Sequence, residues 1–260
     1  MKLLTAKTCT EAWENGMHHL LEVAQNHREY NLITQISDPY LLGEGDYGIY
    51  TIVDHHLKSI GANSLQTVIN TIFPASLYLN HGSNIFEYFQ NVEKTISKAK
   101  KNPWGTYALR LFREQTDFQG RKYCPLKSLI LKLKAQLETP GAKKACYDIN
   151  CIDPLTDLPI HINSEDHSRI MGGPCLVHLS FKLSHDNKLL LTAVYRSHYY
   201  VERTYGNFLG LAWLQRFVAD QVQINTGEIV CHSTMAQLGR PVKEAQSLMK
   251  NIQRSKKVIS

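Results

Sequence analysis

The chain has 260 residues, of which 43% are hydrophobic and 20% are charged, so it is long enough to bury a full hydrophobic core in one large domain. It contains no apolar run of the roughly 18–20 residues that a membrane-spanning helix needs, so no membrane span is expected. The N-terminus also lacks the apolar stretch and cleavage site of a secretory signal, and we therefore expect a cytoplasmic protein.

The net charge of +6 favours a partner that carries negative charge. Lysines are spread over several short segments, and no long basic block with interleaved aromatic residues occurs, so nucleic acid is not expected as a partner. The excess of positive charge favours instead a site for a smaller anion, such as a phosphate group.

The six cysteines are expected to be reduced thiols, because the protein is predicted to lie inside the cell. They form no CxxC pair. The nearest pair, Cys146 and Cys151, has no second pair at zinc-binding spacing, so no metal site is predicted. Cys175 stands at a distinctive position. It directly follows Gly-Gly-Pro and precedes a predicted strand, where a turn would deliver its side chain to the rim of a sheet.

Hydrophobic periodicity predicts a mainly helical first half. The predicted helices are Thr10–His27, which opens with an N-cap residue, Ser64–Tyr78, which Pro74 interrupts, Asn84–Lys101 and Leu126–Leu137. The predicted strands are Glu29–Ile36 and Lys143–Asn150, with a Pro/Gly-punctuated loop at Asp38–Gly48 and a break in the helical pattern around "KNPWGTYALRLF".

The second half of the chain is predicted to form a β-hairpin followed by a helix. Alternate apolar residues in "CLVHLSFKL" predict a strand, and the polar stretch "SHDNK" predicts the turn into a second, nearly all-apolar strand, "LLLTAVY". From Asn207 onward, apolar residues recur every three or four positions, which predicts a buried helix. This order brings Cys175 and Arg196 to the same end of one sheet.

Three short motifs carry a family resemblance. Pro174-Cys175 opens the first strand of the hairpin, Tyr195-Arg196-Ser197 closes the second, and Asn207 follows Arg196 by eleven positions. In this order the chain resembles the thymidylate synthase superfamily. The stretches "NKLLLTAVYRS", "NFLGLAWLQRFVADQ" and "TGEIVCHST" look closer to archaeal thymidylate synthases and nucleotide hydroxymethylases than to the common bacterial enzyme.

The match covers roughly residues 174–233 well, and the first half more loosely. The resemblance implies an α/β (α+β) fold with a large mixed sheet covered by helices. It also implies a single domain over residues 1–260, with the motif-bearing core at about residues 100–235.

The resemblance assigns Cys175 as the catalytic nucleophile. In the family a cysteine thiolate attacks C6 of a pyrimidine nucleotide and makes C5 nucleophilic, which is covalent catalysis. Because the thiolate is the attacking form, a nearby cation should lower the pKa of Cys175. Arg196 would serve this role and also bind the phosphate. The alternatives from the residues alone are an inert core thiol for Cys175 and a surface salt bridge for Arg196.

The resemblance also implies a nucleotide-binding set around the nucleophile. Ser197 would donate to the phosphate, and Asn207 would read the base edge, although an asparagine also suits a helix N-cap. Tyr107 belongs to the same set, in the stretch "WGTYALRL". In the family, two arginines of the partner subunit complete the phosphate site, and Lys143 and Lys144 occupy the equivalent stretch here. A homodimer that binds a pyrimidine nucleoside monophosphate is therefore implied.

Departures from the family bear mainly on the second substrate. The family's RS-x-D motif has an aspartate beside folate, whereas this chain has His198 and Tyr199 after Arg196-Ser197. We expect these two residues to line the second-substrate pocket. The stretch "STMAQLGR" lacks the His and Tyr that hold the sugar, "SLQTVINTIFP" lacks the catalytic acid, and no long folate-closing segment follows "LMKNIQRSKKVIS". The resemblance implies methylenetetrahydrofolate as cofactor, and these residues count against it.

Three functions remain open from the sequence. The leading hypothesis is an enzyme that transfers a methyl or hydroxymethyl group to C5 of a pyrimidine nucleoside monophosphate through a covalent Cys175 adduct at C6. The second is a nucleotide-binding homologue without folate chemistry, acting as a sensor or accessory subunit. The third is an enzyme that turns the activated C5 on another electrophile.

Overall fold

A large β-sheet flanked by helices forms the centre of the computed structural model, which describes residues 1–43, 45–96, 105–139, 147–153, 157 and 173–259. The strands are β1 (Lys2–Ala6), β2 (Arg28–Ile36), β3 (Gln115–Thr116), β4 (Lys122–Tyr123), β5 (Asp148–Asn150), β6 (Leu176–Leu183), β7 (Lys188–Tyr195), β8 (His198–Tyr199) and β9 (Asn225–Gln237). The helices are α1 (Cys9–His18), α2 (Asp46–Ser59), α3 (Leu65–Ile72), α4 (Ala75–His81), α5 (Ile85–Ile96), α6 (Tyr107–Phe112), α7 (Pro125–Glu138), α8 (Tyr205–Val222) and α9 (Val242–Ile259). In the described ranges, none of these helices is both long and apolar enough to cross a membrane.

Seven strands form one mixed sheet in the order β1-β2-β9-β7-β6-β5, with β8 paired to β9 off this path. β1 runs parallel to β2 and β7 parallel to β9. The pairs β2–β9, β7–β6 and β6–β5 are antiparallel, and β3 and β4 form a separate hairpin. The predicted α/β fold with a large mixed sheet and helices is confirmed.

The register of three strands gathers the candidate residues at one end of the sheet. β6 and β7 pair with Leu176 opposite Tyr195, so Cys175 and Arg196 are neighbours just beyond that pair. β7 and β9 pair with Tyr195 beside Ser233, and β8 continues along the same strand. The residues that follow β7 therefore run beside the second half of β9.

The two faces of the sheet differ in burial. On one face of β9, Ile229, Cys231 and Ser233 are at most 1% exposed, and α1 and α8 pack against the sheet. The alternate residues Val230 and His232 are only half-buried and point to the opposite side. We call this second side the open face; it also carries Ile33, Leu190 and Val194.

Helix α8 is buried, as its periodicity predicts. The apolar residues named from that pattern are all fully buried: Phe208, Leu211, Leu214 and Val218. α8 lies close to α3 at Gly206, where an added Cβ would be 2.7 Å from the side chain of Val68. A larger residue at position 206 would therefore push the two helices apart.

Several predicted elements are confirmed with small shifts at their ends. β2, α7 and the β6–β7 hairpin lie where periodicity places them. Pro74 interrupts the predicted Ser64–Tyr78 helix, so that α3 ends at Ile72 and α4 begins at Ala75. The reason is that proline has no N–H to donate to the helical hydrogen-bond ladder.

The prediction of one continuous helix over Thr10–His27 is wrong. α1 ends at His18 and gives way to a π-helical turn and then a short 3-10 turn before β2. Its N-cap is Thr8, whose side chain accepts a hydrogen bond from the N–H of Glu11. The hydroxyl of Thr10 is instead paired with that of Tyr205 at 2.9 Å.

The elements β1, β9, α2, α6 and α9 are among those that the sequence analysis does not predict. α2 begins at Asp46, inside the predicted loop Asp38–Gly48. α6 occupies the stretch where the helical pattern was expected to break, and the Thr106 side chain caps it by accepting from the N–H of Leu109. The predicted strand from Lys143 is described only from residue 148 as β5, and residues 143–146 lie outside the described residues.

Candidate active site

Cys175 lies at the turn that leads into β6, at the rim of the sheet. Gly173 has a φ of 150°, and a Cβ there would meet the Arg196 side chain at 3.1 Å, so the turn requires glycine. Pro174 is buried and Cys175 is half-buried. The thiol therefore lies at the boundary between core and solvent, where a ligand can meet it.

Tyr107 of α6 holds the backbone at this position. Its hydroxyl oxygen accepts hydrogen bonds from the N–H of Cys175 at 2.7 Å and from the N–H of Leu176 at 3.1 Å. Burial raises the pKa of Tyr107, so the phenol remains protonated. Tyr107, which the family resemblance places in the nucleotide-binding set, is in direct contact with the backbone of Cys175.

Arg196 follows β7 and lies against the cysteine turn. Its Nε donates to the carbonyl of Pro174 at 2.9 Å, and its backbone N–H donates to the carbonyl of Cys175 at 2.9 Å. The residue is nevertheless exposed. The structure thus brings Cys175 and Arg196 together and leaves part of the guanidinium open to a ligand.

The electrostatic environment of the thiol corrects one expectation. Burial raises the pKa of Cys175, and the positive charges of Arg196 and Arg203 act in the opposite direction without overcoming it. The expected lowering of this pKa is therefore wrong for the free protein. Arg203 lies in the π-helical turn Tyr200–Thr204 before α8, and the sequence analysis does not identify it.

A largely buried ion pair lies beside the cysteine turn, where the Asp157 carbonyl oxygen is close to Gly173. Asp157 pairs with Arg110 of α6, whose Nη2 donates to Oδ1 at 2.9 Å, and it also accepts the N–H of Asp153 at 2.6 Å. Burial acts to raise the pKa of Asp157, but these hydrogen bonds and the charge of Arg196 hold it below its ordinary value. The carboxylate is therefore ionised at neutral pH, and no sequence motif marks this pair.

Ser197, which follows Arg196, is connected through Gln237 to Arg28 of β2. Its hydroxyl accepts a hydrogen bond from Nε2 of Gln237 at 3.3 Å, and Oε1 of Gln237 accepts one from Arg28 at 3.4 Å. Arg28 is exposed, so a further cation lies close to Ser197 that the sequence analysis does not identify. Lys143 and Lys144, which were expected to supply charge here, lie outside the described residues.

Tyr199 borders a cavity of about 410 Å³, whose other walls are residues 26–28 and 237–242. This volume falls in the range of ligand pockets, roughly 300–1,000 Å³. Tyr199 is 39% exposed, and its ring packs on Gly239, where an added Cβ would lie 2.7 Å from it. Tyr199 therefore lines a cavity of ligand size, and its role in binding a second substrate stays a prediction.

His198 does not line this cavity. It is 1% exposed, and its ring stacks on that of Tyr195 with centroids 4.0 Å apart. Successive residues of a strand point to opposite sides, so His198 faces the core while Tyr199 faces out. The prediction that His198 lines a second-substrate pocket is therefore wrong.

Asn207 belongs to a buried polar chain with His198. Its Nδ2 lies 3.0 Å from His198 Nε2, and His198 Nδ1 lies 2.9 Å from the hydroxyl of Ser233. Burial lowers the pKa of His198 to about 3, so the ring is neutral. Because α8 begins at Tyr205, Asn207 is not its N-cap.

A larger cavity, of about 1170 Å³, includes Arg110 and Asp153 in its lining. It is lined by residues of α5, α6, α7, the β3–β4 hairpin and β5, and its lining includes neither Cys175 nor Arg196. The candidate site is therefore identified by its chemistry rather than by cavity size. Within the part of the chain that the structure describes, no group of three or more His, Cys, Asp or Glu could hold a metal ion.

The structure is similar to that of thermostable thymidylate synthase A from Bacillus subtilis, with a TM-score of 0.52. The chain has the thymidylate synthase fold. The two sequences are 13% identical, and the match covers 94% of this chain and 84% of that one.

Similarity to curated relatives is local. The chain is 35% identical over 79 residues to a protein of Methanothermobacter marburgensis named "Putative thymidylate synthase", and 36% identical over 78 residues to one of Methanothermobacter thermautotrophicus with the same name. Each match covers 30% of this chain and 35% of the relative, so the chain matches about a third of the length of these relatives. No family model matches the chain. The resemblance to the thymidylate synthase superfamily is confirmed in the fold and in this segment.

Proposed function

We propose that this thymidylate-synthase-like protein binds a pyrimidine nucleoside monophosphate, forms a bond between the Cys175 sulfur and C6 of the base, and transfers a methyl or hydroxymethyl group to C5. The observation that carries the proposal is the placement of Cys175. It is a half-buried thiol at the rim of the sheet, held by Tyr107 and flanked by Arg196, in a chain with the thymidylate synthase fold.

The phosphate is bound by cations at the same end of the sheet. Arg196 is exposed and offers a guanidinium fork, which matches the oxygens of a phosphate. Ser197 follows it directly, and Gln237 connects Ser197 to Arg28. Charge-assisted hydrogen bonds from these groups favour a monophosphate over the nucleoside.

The proposed chemistry begins with the Cys175 thiolate. Its sulfur adds to C6, and the electrons of the C5–C6 double bond move onto C5 and the carbonyl at C4. C5 then bonds to the electrophilic carbon of a one-carbon donor. Addition to a formaldehyde-level C=O gives a hydroxymethyl group once the oxygen takes a proton, whereas displacement at an activated methyl donor gives a methyl group and releases the donor's leaving group. Loss of the C5 proton and departure of the sulfur restore the double bond and the thiolate. Arg196 and Arg203 stabilise the thiolate at the start and end of this cycle.

The residues near Tyr199 do not fit the folate site of the family. His198 is buried, and Tyr199 presents a phenol where the family has a carboxylate. The next acid along the chain, Glu202, is paired with Arg240 at 2.6 Å. A phenol cannot accept a pair of hydrogen bonds as a carboxylate does, so we derive no step through methylenetetrahydrofolate.

A second candidate function is nucleotide binding without turnover, as a sensor or accessory subunit. The raised pKa of Cys175, caused by burial, favours it, because only a small part of the thiol is ionised at neutral pH in the free protein. The two functions predict the same nucleotide affinity. They differ in whether a covalent adduct forms.

The protein is further proposed to be a homodimer that pairs through the open face of its sheet. Val230 lies at the middle of this face on β9, beside Gln35 of β2 and Thr192 of β7. Half-buried apolar residues on the flat side of a sheet favour a partner, and a second copy offers the same surface.

Mass spectrometry with a 5-fluoropyrimidine nucleoside monophosphate tests the function. The electron-withdrawing fluorine at C5 makes C6 more electrophilic, so the adduct, which takes a proton at C5, should accumulate without any one-carbon donor. We expect the mass of one nucleotide to be added to the peptide that contains Cys175, and Cys175→Ser to abolish the adduct while nucleotide affinity changes by no more than a few-fold.

Cys124→Ser is the matched control, because Cys124 is also half-buried but lies outside the candidate site. It should form the adduct like the wild type. Nucleotide binding without an adduct would establish the second candidate function. Absence of both binding and adduct would reject the two functions together.

A further inference from the structure

We infer that His198 is a positioning residue that fixes the orientation of the Asn207 side-chain amide and thereby determines which pyrimidine base the site accepts. The part that concerns the base rests on the proposed function, because it requires Asn207 to meet the base. The part that concerns the amide orientation rests on contacts within the protein.

The ring of His198 is held on several sides. It is parallel to the ring of Tyr195 within 2°, with centroids 4.0 Å apart. Tyr200 and Phe208 approach it edge-on, at centroid distances of 5.7 and 5.9 Å. The side chain is 1% exposed. Tilting the ring would break this packing, and turning it by 180° would move Nδ1 and Nε2 away from Ser233 and Asn207, so the positions of the two nitrogens are fixed.

The two ring nitrogens have different roles because the ring is neutral. A neutral imidazole has one N–H donor and one acceptor nitrogen. The Asn207 amide nitrogen, which can only donate, lies 3.0 Å from Nε2, so Nε2 is the acceptor. Nδ1 then carries the proton and donates to the hydroxyl oxygen of Ser233 at 2.9 Å.

The hydrogen bond to His198 fixes the orientation of the Asn207 side-chain amide. Rotating the amide by 180° would place its oxygen against Nε2, where two acceptors would face each other. In the observed orientation, one N–H of Asn207 is engaged by His198. Its Oδ1 accepts no hydrogen bond among the contacts of the described residues, and it is not among their buried unpaired atoms. The oxygen and the second N–H are therefore free to meet a base.

The positions of Oδ1 and the second N–H of Asn207 decide which pyrimidine base can pair with this amide. Uracil presents a donor at N3 beside an acceptor at C4, whereas cytosine presents an acceptor at N3 beside a donor at C4. An asparagine that can rotate its amide can pair with either base. One that is fixed pairs with one of them and leaves unpaired groups against the other, at a cost of roughly 10- to 100-fold in affinity.

Calorimetric titration of the matched monophosphates dUMP and dCMP tests the specificity. We expect the wild type to prefer one of them by at least about tenfold. His198→Phe keeps the stacked ring and removes both nitrogens, so the preference should fall to within about threefold. His198→Gln, whose side-chain oxygen can reach the position of Nε2, should restore part of it. A folded His198→Phe protein that keeps the wild-type preference would overturn the inference.

Long-range ¹H–¹⁵N NMR of wild-type His198 tests the orientation without a nucleotide. The Nδ1–H tautomer is expected. The Nε2–H tautomer would overturn the inference even if the nucleotides bind and react as proposed. If neither nucleotide binds to the wild type, the proposed function and the base specificity fail together, and the tautomer still decides the orientation of Asn207.

Discussion

The hydroxyl of Tyr107 accepts hydrogen bonds from the N–H of Cys175 and from that of the next residue, so one side chain fixes the backbone on both sides of the proposed nucleophile. These residues are 68 positions apart in the chain, and the contact joins α6 to the start of β6. Buried N–H groups need an acceptor, so the position of the thiol depends on this phenol.

Tyr107→Phe should slow the reaction of Cys175 more than it weakens nucleotide binding. The substitution keeps the ring and removes the acceptor of two N–H groups, which allows the turn to shift. We expect adduct formation with a 5-fluoropyrimidine monophosphate to slow by roughly 10- to 100-fold. Affinity should change by less than a few-fold. Both can be measured by timed mass spectrometry and calorimetry.

Tyr123→Phe is the control for this prediction. Its hydroxyl bonds to Gln115 within the β3–β4 hairpin, away from Cys175. It should react at the wild-type rate. A Tyr107→Phe protein that also reacts at that rate would show that the phenol does not position the nucleophile.

Arg196→Ala should weaken nucleotide binding by roughly 10- to 100-fold, because charge-assisted bonds to a phosphate are worth about 1.5–3 kcal/mol. The same substitution should leave the weak binding of the nucleoside nearly unchanged. Arg216→Ala removes a half-buried arginine that is paired with Asp220 on α8, and it serves as the control. Equal affinities of the wild type for nucleoside and monophosphate would contradict the phosphate assignment.

The sequence predicts the parts of this fold that have a strong period. The β6–β7 hairpin alternates and α8 repeats every three or four residues, so both could be located, and their order placed Cys175 beside Arg196. α6 could not be found in this way. It is a single short helix in a stretch with Gly and Pro before it, and its stability comes from packing against α7 rather than from periodicity.

The residues of the candidate site could likewise be predicted only where they adjoin an element with a strong period. Cys175 and Arg196 could be identified because each adjoins a recognisable strand. Arg203, Arg28 and Asp157 could not, since their roles depend on contacts between segments far apart in the chain. The assignment of His198 to a pocket failed for a simpler reason. Two adjacent residues in a strand cannot both face the same cavity.

The alkylation of Cys175 should report both its environment and its ligand. Because burial raises its pKa, iodoacetamide should react slowly at neutral pH and faster as the pH rises towards and above 9. Arg196→Gln removes an opposing positive charge, so it should slow the reaction further. A bound nucleotide should protect the thiol.

Cys124 is the internal control for alkylation. Burial also raises its pKa, and it lies beside α7 rather than in the site. Neither the nucleotide nor Arg196→Gln should alter its rate. If nucleotide leaves the reaction of Cys175 unchanged, Cys175 does not contact the ligand.

Val230→Lys should convert the proposed dimer to a monomer. It places a charge at the middle of the open face, where pairing with a second copy would bury it without a partner. Sedimentation velocity measures the outcome. Leu131→Lys alters an exposed residue of α7 and should remain dimeric. A wild type that is monomeric at tens of micromolar would reject this interface.

His198 should make the stability of the protein depend on pH. Burial lowers its pKa from the ordinary 6.5 to about 3, so the unfolded chain takes up a proton at a higher pH than the folded chain does. Its contribution is complete above the unfolded pKa and is lost as the pH falls from about 6.5 towards 3. At about pH 4 this loss is on the order of 3 kcal/mol.

Urea unfolding of the wild type and of His198→Phe, at about pH 7 and about pH 4, measures this contribution. The variant loses the bonds to Ser233 and Asn207 and is expected to be less stable at neutral pH. It should nevertheless lose less stability on acidification than the wild type, by on the order of 3 kcal/mol. His185→Gln, in the exposed β6–β7 turn, should keep the wild-type dependence. Equal losses in the wild type and His198→Phe would mean that His198 does not remain neutral in the folded protein, and the direction of its hydrogen bonds would then have to be assigned differently.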